Sequence, residues 1–163
     1  MAALLGTIYS VDAADCRLAG LLHDWDREIP KDELPRRARE LGLGVGPIDE
    51  LAPYILHART AAAELKLQFP DLDTDIICAV ENHTVGSPTM SELDMVVFIA
   101  DMIEPKRVFS GVEDLRDDVG TLSLKDLFAA CYQTSFSHLI SVRKYIHPQT
   151  AEVWNALVAR RQQ

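Results

Sequence analysis

The sequence predicts an all-α fold, and three observations carry that expectation. Apolar residues recur with the helical period over most of the 163-residue chain. Alternating runs of Val, Ile and Thr are nearly absent, as are the Asn-Gly or Asp-Gly turns that would join such runs into hairpins. Prolines and capping residues cut the periodic stretches into discrete pieces.

Taken in order, residues 2–9 read as the last two turns of a helix whose beginning is missing. Asp12 is placed to cap a helix carrying Cys16, Ala19, Leu22 and His23, because a short carboxylate there accepts the free N–H groups of a first turn. Pro30 ends that region. Residues 31–41 read as a short surface helix, followed by a Gly-rich loop through Gly46-Pro47. Pro53 opens a helix running through His57 to Leu67, since proline's missing N–H costs nothing in a first turn. Asp73 or Thr74 begins the next, with Ile76, Ile77, Ala79 and Val80 apolar and His83 in its last turn. After a loop over residues 84–89, Ser91-Glu92-Leu93-Asp94 has the form of a capping box heading a strongly apolar helix over residues 92–103. Pro105 stops it. Short helical pieces are expected over residues 112–119, a long helix over 122–144, and a final helix over 149–161 opened by Pro148. No repeat or linker interrupts the series, so residues 1–163 read as one compact helical domain.

Bulk properties narrow the function. A net charge of −9 argues against an extended DNA or RNA surface. It is compatible with a small polyphosphate ligand, because bound metal ions invert the local field. Cys16, Cys78 and Cys131 are odd in number and widely spaced, which fits free thiols in a cytoplasmic protein. No apolar run is long enough to span a membrane, and no basic-then-apolar leader with a cleavage site is present. Apolar helical surfaces are compatible with a homodimer. There is no phosphate-cradling Walker-type loop.

The chemistry is carried by an ordered set of side chains. His23-Asp24 closes the apolar run from Leu18 to Leu22, and His57, His83 and Asp101 follow on separate apolar segments. Imidazole and carboxylate together suit a borderline divalent metal or iron, and manganese, cobalt and zinc accept the same donors. Adjacent residues on a helix project about 100° apart. Asp24 can therefore bridge two metals while His23 binds one, His57 and His83 complete the second, and Asp101 returns to the first. Asp101 follows the stretch Met95 to Ala100, where an unpaired carboxylate would be expensive and a cation removes the cost.

These residues resemble a known family. His-Asp followed by separated His, His and Asp is similar to the signature of the HD-domain metal-dependent phosphohydrolases. The segments LAGLLHDWDREIP (18–30), LHARTAA (56–62), ENHTVGSPTMSELDMVVFIADMIEPKR (81–107) and IHPQT (146–150) narrow the likeness. They resemble the symmetrical bis(5'-nucleosyl)-tetraphosphatases of the YqeK type, over nearly the whole chain. The resemblance implies an HD-domain helical bundle, with His23, Asp24, His57, His83 and Asp101 as metal ligands and iron as the expected native metal, in a di-iron centre. It also implies that Arg27, Thr84, Arg107 and His147 lie near the nucleotide or its phosphates. The implied reaction is attack of a metal-bound hydroxide within the bridge of diadenosine tetraphosphate, giving two ADP, with Asp24 and Arg27 the catalytic pair and no organic cofactor.

Two departures accompany the likeness. Arg27 stands where the family commonly has lysine, and a planar fork differs in geometry from a point charge. The superfamily also has a metal-ligand histidine on the helix before His-Asp, whereas no histidine precedes His23. By analogy it would fall upstream of Met1. The alternatives are a nucleotide-binding or regulatory HD module with an incomplete metal site, or a phosphohydrolase acting on another nucleotide. Of the remaining residues, Arg27 could instead pair with Asp26 or Glu28, His138 reads as structural, Trp25 and Trp154 as packing residues, and Glu113 to Asp118 as a solvated acidic face.

Overall fold

A computed structural model describes residues 1–160 of the chain. Among these, ten α-helices and one 3-10 turn succeed each other without a strand. They are α1 (Ala2–Tyr9), α2 (Ala13–Leu22), α3 (Leu34–Glu40), α4 (Pro47–Leu51), the 3-10 turn Pro53–Ile55, α5 (Leu56–Gln68), α6 (Thr74–Asn82), α7 (Glu92–Met102), α8 (Val112–Asp117), α9 (Leu124–Ser141) and α10 (Pro148–Arg160). The expected end of the last helix, residue 161, lies outside the described residues.

The helix starts are set by local chemistry that the sequence carries. Asp12 accepts from the backbone N–H of Ala14 and Asp15, and Asp73 accepts from Asp75. Ser91 and Asp94 form the reciprocal capping box, with Asp94 N donating to Ser91 Oγ at 3.1 Å and Ser91 N to Asp94 Oδ2 at 3.0 Å. Each such cap contributes about 1 kcal/mol.

Several expectations differ from the structure; Pro53, for one, opens the 3-10 turn and α5 begins only at Leu56. Pro47 opens α4 rather than closing a loop, and Asp49 in its first turn accepts from Gly46 N at 2.7 Å. The long helix starts after its cap, Ser123, and ends at Ser141 rather than continuing to residue 144, because Arg143 takes a left-handed φ of 55°. Helix α3 is no pure surface helix: Leu34, Pro35 and Ala38 are buried, and Leu34 and Ala38 pack with Leu56.

The core explains why α7 is apolar on every side. It packs against α1, α2, α6 and α9, so residues 93–100 are all buried. Phe98, Phe128 and Tyr132 form an aromatic cluster within this core, with ring centroids 5.3–5.7 Å apart. No helix among the described residues is long and apolar enough to cross a membrane.

Two pairings bear on single-residue expectations. Asp26 is buried and bound by Arg37, whose Nε donates to its Oδ2 at 2.7 Å, so it is not the partner of Arg27. Trp25 is 44% exposed and packs its ring edge-to-face against that of Phe69.

The three thiols are free and unequal. Burial, reinforced by Asp12 and Asp15, pushes Cys16 up to about 11, and burial pushes Cys131 up to about 12. Cys78 is also raised by burial but is only half-buried. An aromatic disulfide reagent at neutral pH is therefore expected to label Cys78 on the native protein and all three thiols only after unfolding. Labelling that survives in Cys78→Ser without denaturant would contradict this packing.

Candidate metal centre

The ends of four helices meet at one point, and each brings a predicted residue with it. His23 follows the last residue of α2, His83 follows the last residue of α6, and Asp101 lies in the last turn of α7. His57 sits in the first turn of α5. Three C-terminal helix ends thus point their unpaired carbonyls and negative dipole ends toward one place, which favours a cation there.

The imidazoles are oriented by one repeated device. His23 Nδ1 lies 2.8 Å from Gly20 O, His57 Nδ1 2.6 Å from Tyr54 O, and His83 Nδ1 2.7 Å from Val80 O. A carbonyl only accepts, so each Nδ1 carries the proton and donates it to the residue three positions earlier. Each neutral ring is left with its lone pair on Nε2, the form that binds a metal.

Those lone pairs converge. His57 Nε2 and His83 Nε2 are 3.0 Å apart, and Asp24 Oδ1 lies 3.2 Å and 3.6 Å from them. With both Nδ1 atoms protonated, the two Nε2 atoms cannot hydrogen-bond to one another. Metal–ligand bonds of roughly 2.0–2.2 Å imply ligand–ligand edges of roughly 2.9–3.6 Å, so this triangle has the size of a coordination face. Asp24 turns its other oxygen the opposite way: Oδ2 is 3.5 Å from His23 Nε2, which is 3.8 Å from Asp101 Oδ1. One carboxylate therefore stands between two donor groups, His57 with His83 and His23 with Asp101. One donor atom each from His23, Asp24 and His83 also lie within 4.8 Å of one another, so these three alone could hold a single ion.

The protonation states follow from this packing. The His57 and His83 rings beside it hold the Asp24 carboxyl well below the usual range, against the opposing effect of burial. Burial alone would raise Asp101, but His23 and Arg107 outweigh it and bring it to about 2. Burial lowers His83, which is 4% exposed and stays neutral. His23 feels burial too, yet the adjacent Asp101 and Asp24 raise it. The residues present fit a cation: two ionised carboxylates and three imidazoles of fixed tautomer, a mixed oxygen and nitrogen donor set.

All four residues expected near the nucleotide line one cleft of about 250 Å3 with His57, His83 and Asp101. Arg27 Nη1 donates toward His57 Nε2 at 3.4 Å, and Thr84 Oγ1 toward His83 Nε2 at 3.3 Å. Arg107 Nη2 donates to Asp101 Oδ1 at 2.6 Å and its Nε to Asp101 O at 3.2 Å, so part of its fork orients a donor carboxylate. His147 accepts from Gln149 N at its Nδ1, while its Nε2 faces Asp49 Oδ1 at 3.9 Å. That oxygen of buried Asp49 has no hydrogen-bond partner among the described residues.

Sequence reasoning missed Asp49, Tyr54, Ser135, Leu139 and Tyr145, the last four of which line the cleft. Helical periodicity could not have found them, because they come together from α4, the 3-10 turn, α9 and the turn after it, segments far apart in the chain. His138, expected to be structural, is exposed beside this region rather than in the core.

The imidazole arrangement is directly measurable. Long-range proton–nitrogen NMR spectra of metal-free protein at about pH 8, above the imidazole range, are expected to show His57 and His83 as Nδ1–H tautomers. An Nε2–H pattern for either ring would contradict the orientation described.

Comparison with known proteins agrees with this geometry. The family model described as HD domain matches residues 1–106. The chain is 30% identical over 154 residues to the symmetrical bis(5'-nucleosyl)-tetraphosphatase of Halalkalibacterium halodurans, covering 94% of this chain and 81% of that one. It is 29% identical to the protein of the same name from Bacillus subtilis, covering 93% and 80%. The fold matches, at a TM-score of 0.89, a crystal structure of a predicted HD superfamily hydrolase involved in NAD metabolism from Clostridium acetobutylicum, 31% identical over 98% of this chain and 84% of that one. By its helical architecture, its ordered His and Asp donors and these likenesses, the chain belongs to the HD-domain hydrolases, in the family of symmetrical bis(5'-nucleosyl)-tetraphosphatases.

Proposed function

We propose that this chain hydrolyses diadenosine tetraphosphate symmetrically, adding water across the central phosphoanhydride to give two ADP. The observation that carries the reading is the convergence of three Nε2 lone pairs and two ionised carboxylates around Asp24. His23, Asp24, His57, His83 and Asp101 would hold divalent metal, with iron the proposed native ion in a two-metal arrangement. When bound, such ions supply a water acidified toward neutrality and a positive field for the reacting phosphate oxygens.

The chain's own groups do the rest. The Nδ1–H bonds fix the tautomer of the imidazoles and keep them aimed. Arg27, exposed beside His57, offers a cationic fork to the phosphate that departs as ADP, whose oxygen takes up the proton of the added water. Arg107 steadies Asp101, and Thr84 places a hydroxyl at the rim. We take residues 1–163 as one functional unit, a reading supported by the cleft walls: Ser135, Leu139, Tyr145 and His147 all come from beyond residue 106.

Protein supplied with iron or manganese and incubated with diadenosine tetraphosphate is expected to yield ADP as the sole nucleotide, by chromatography. Formation of AMP and ATP, or no turnover, would overturn the proposal. Asp24→Ala removes the carboxylate shared by both donor groups. Losing a group that merely supports a ligand costs roughly 10–100-fold, so Asp24→Ala is expected to lower kcat/KM by at least about a hundredfold. Adding metal at about a hundred times its Kd should stabilise the wild-type fold by about 2.7 kcal/mol, and the variant much less, as read from thermal melts.

A further inference from the structure

A second groove adjoins the catalytic cleft. It measures about 380 Å3 and shares Arg27, Tyr54, His57 and Leu139 with the cleft. Its remaining polar walls are Lys31, His138 and Lys144, and no acidic residue lines it. In a chain of net charge −9 that composition is unusual. Among the described residues, neither Arg27, Lys31 nor Lys144 has a carboxylate within 4.0 Å; Arg17, Lys66, Lys106, Lys125 and Arg143 share this, whereas Arg36, Arg37, Arg39, Arg59, Arg107 and Arg116 each have one. These three cations are thus uncompensated and face one groove, whose apolar floor is Ile29, Leu34 and Leu139.

Resting on the hydrolysis proposed above, we infer that this groove holds the second nucleoside diphosphate half of the substrate. The tetraphosphate then passes over His57 and Arg27 with one half on either side. Size supports the division. The main cleft, about 250 Å3, falls short of the roughly 300 Å3 at which sites for small ligands begin, and a dinucleotide needs far more. Charge supports the direction. A further opening of about 400 Å3 adjoins His23, but its lining mixes Arg17 with Asp101 and Glu104. Of these three openings among the described residues, only the groove by Lys31 and Lys144 is lined by charged side chains of one sign. Tyr54 stands at the junction, its backbone held by the bond from His57 Nδ1, and offers a ring to a base or ribose.

The test compares substrates of two sizes. The double variant Lys31→Glu/Lys144→Glu is expected to raise KM for diadenosine tetraphosphate about tenfold, with kcat within about twofold of wild type. Hydrolysis of bis(p-nitrophenyl) phosphate, which spans only the centre, should be unchanged, as should both activities in Arg17→Glu. Both lysines are exposed, and the milder Lys31→Ala/Lys144→Ala pair, expected to raise KM about threefold, serves if charge reversal impairs folding. An unaltered KM, an equal loss on the small substrate, or a larger loss in Arg17→Glu would overturn the groove's role. Failure of the wild type to form ADP would instead overturn the proposed hydrolysis, and this inference with it.

Discussion

The bond from each imidazole Nδ1–H to a main-chain carbonyl three residues earlier is the constraint on which the site depends. It does two jobs with one proton. For His23 and His83 it satisfies a carbonyl in the last turn of a helix, which has no partner within that helix. For all three rings it fixes which nitrogen keeps its lone pair and where that nitrogen points. Without it, each Nε2 would be free to rotate away or to carry the proton itself. The reactive arrangement is thus a by-product of how α2 and α6 end.

The electrostatics follow from the same geometry. A protein of net charge −9 gathers further negative potential at the meeting of three helix C-termini and two ionised carboxylates. That would be costly for an anionic substrate were no cation placed there, and it is favourable for holding one. Asp24 serves both donor groups because a carboxylate has two oxygens facing apart. Arg27 and Arg107 sit at the rim, and each touches one member of the cluster, Arg27 the His57 ring and Arg107 the Asp101 carboxylate.

The C-terminal helices convert a cluster of donors into a cleft. The chain turns sharply after His83 at Gly86, whose φ of +82° suits glycine and where a side chain would meet the Tyr132 ring at 3.1 Å. Tyr132 donates to Val85 O at 2.8 Å and Gln149 Nε2 donates to Gly86 O, so α9 and α10 clamp the loop that follows a donor histidine. Asp49 adds a buried carboxylate beside His147, bound by Gly46 N and Arg59 but with one oxygen facing only the imidazole. Core packing and site geometry are therefore coupled through residues 83–86.

The sequence by itself determined most of the helices and singled out the side chains that converge. Asp12, Asp73 and Ser91 mark helix starts because capping is a local bond within a few residues, and the order of His23, Asp24, His57, His83 and Asp101 is linear information. It determined less where long-range packing decides. Pro47 reads as part of a loop until Asp49 is seen to bond Gly46, and Asp26 reads as a surface charge until Arg37 closes over it. Only the tertiary structure decided that Asp24 divides its oxygens between two pairs of donors. Only it brought Tyr54, Ser135 and Tyr145 to the cleft wall and set Lys31 and Lys144 on one groove. These are contacts between segments far apart in the chain. Their distances depend on how helices pack, a property of the whole core that no local pattern of residues encodes.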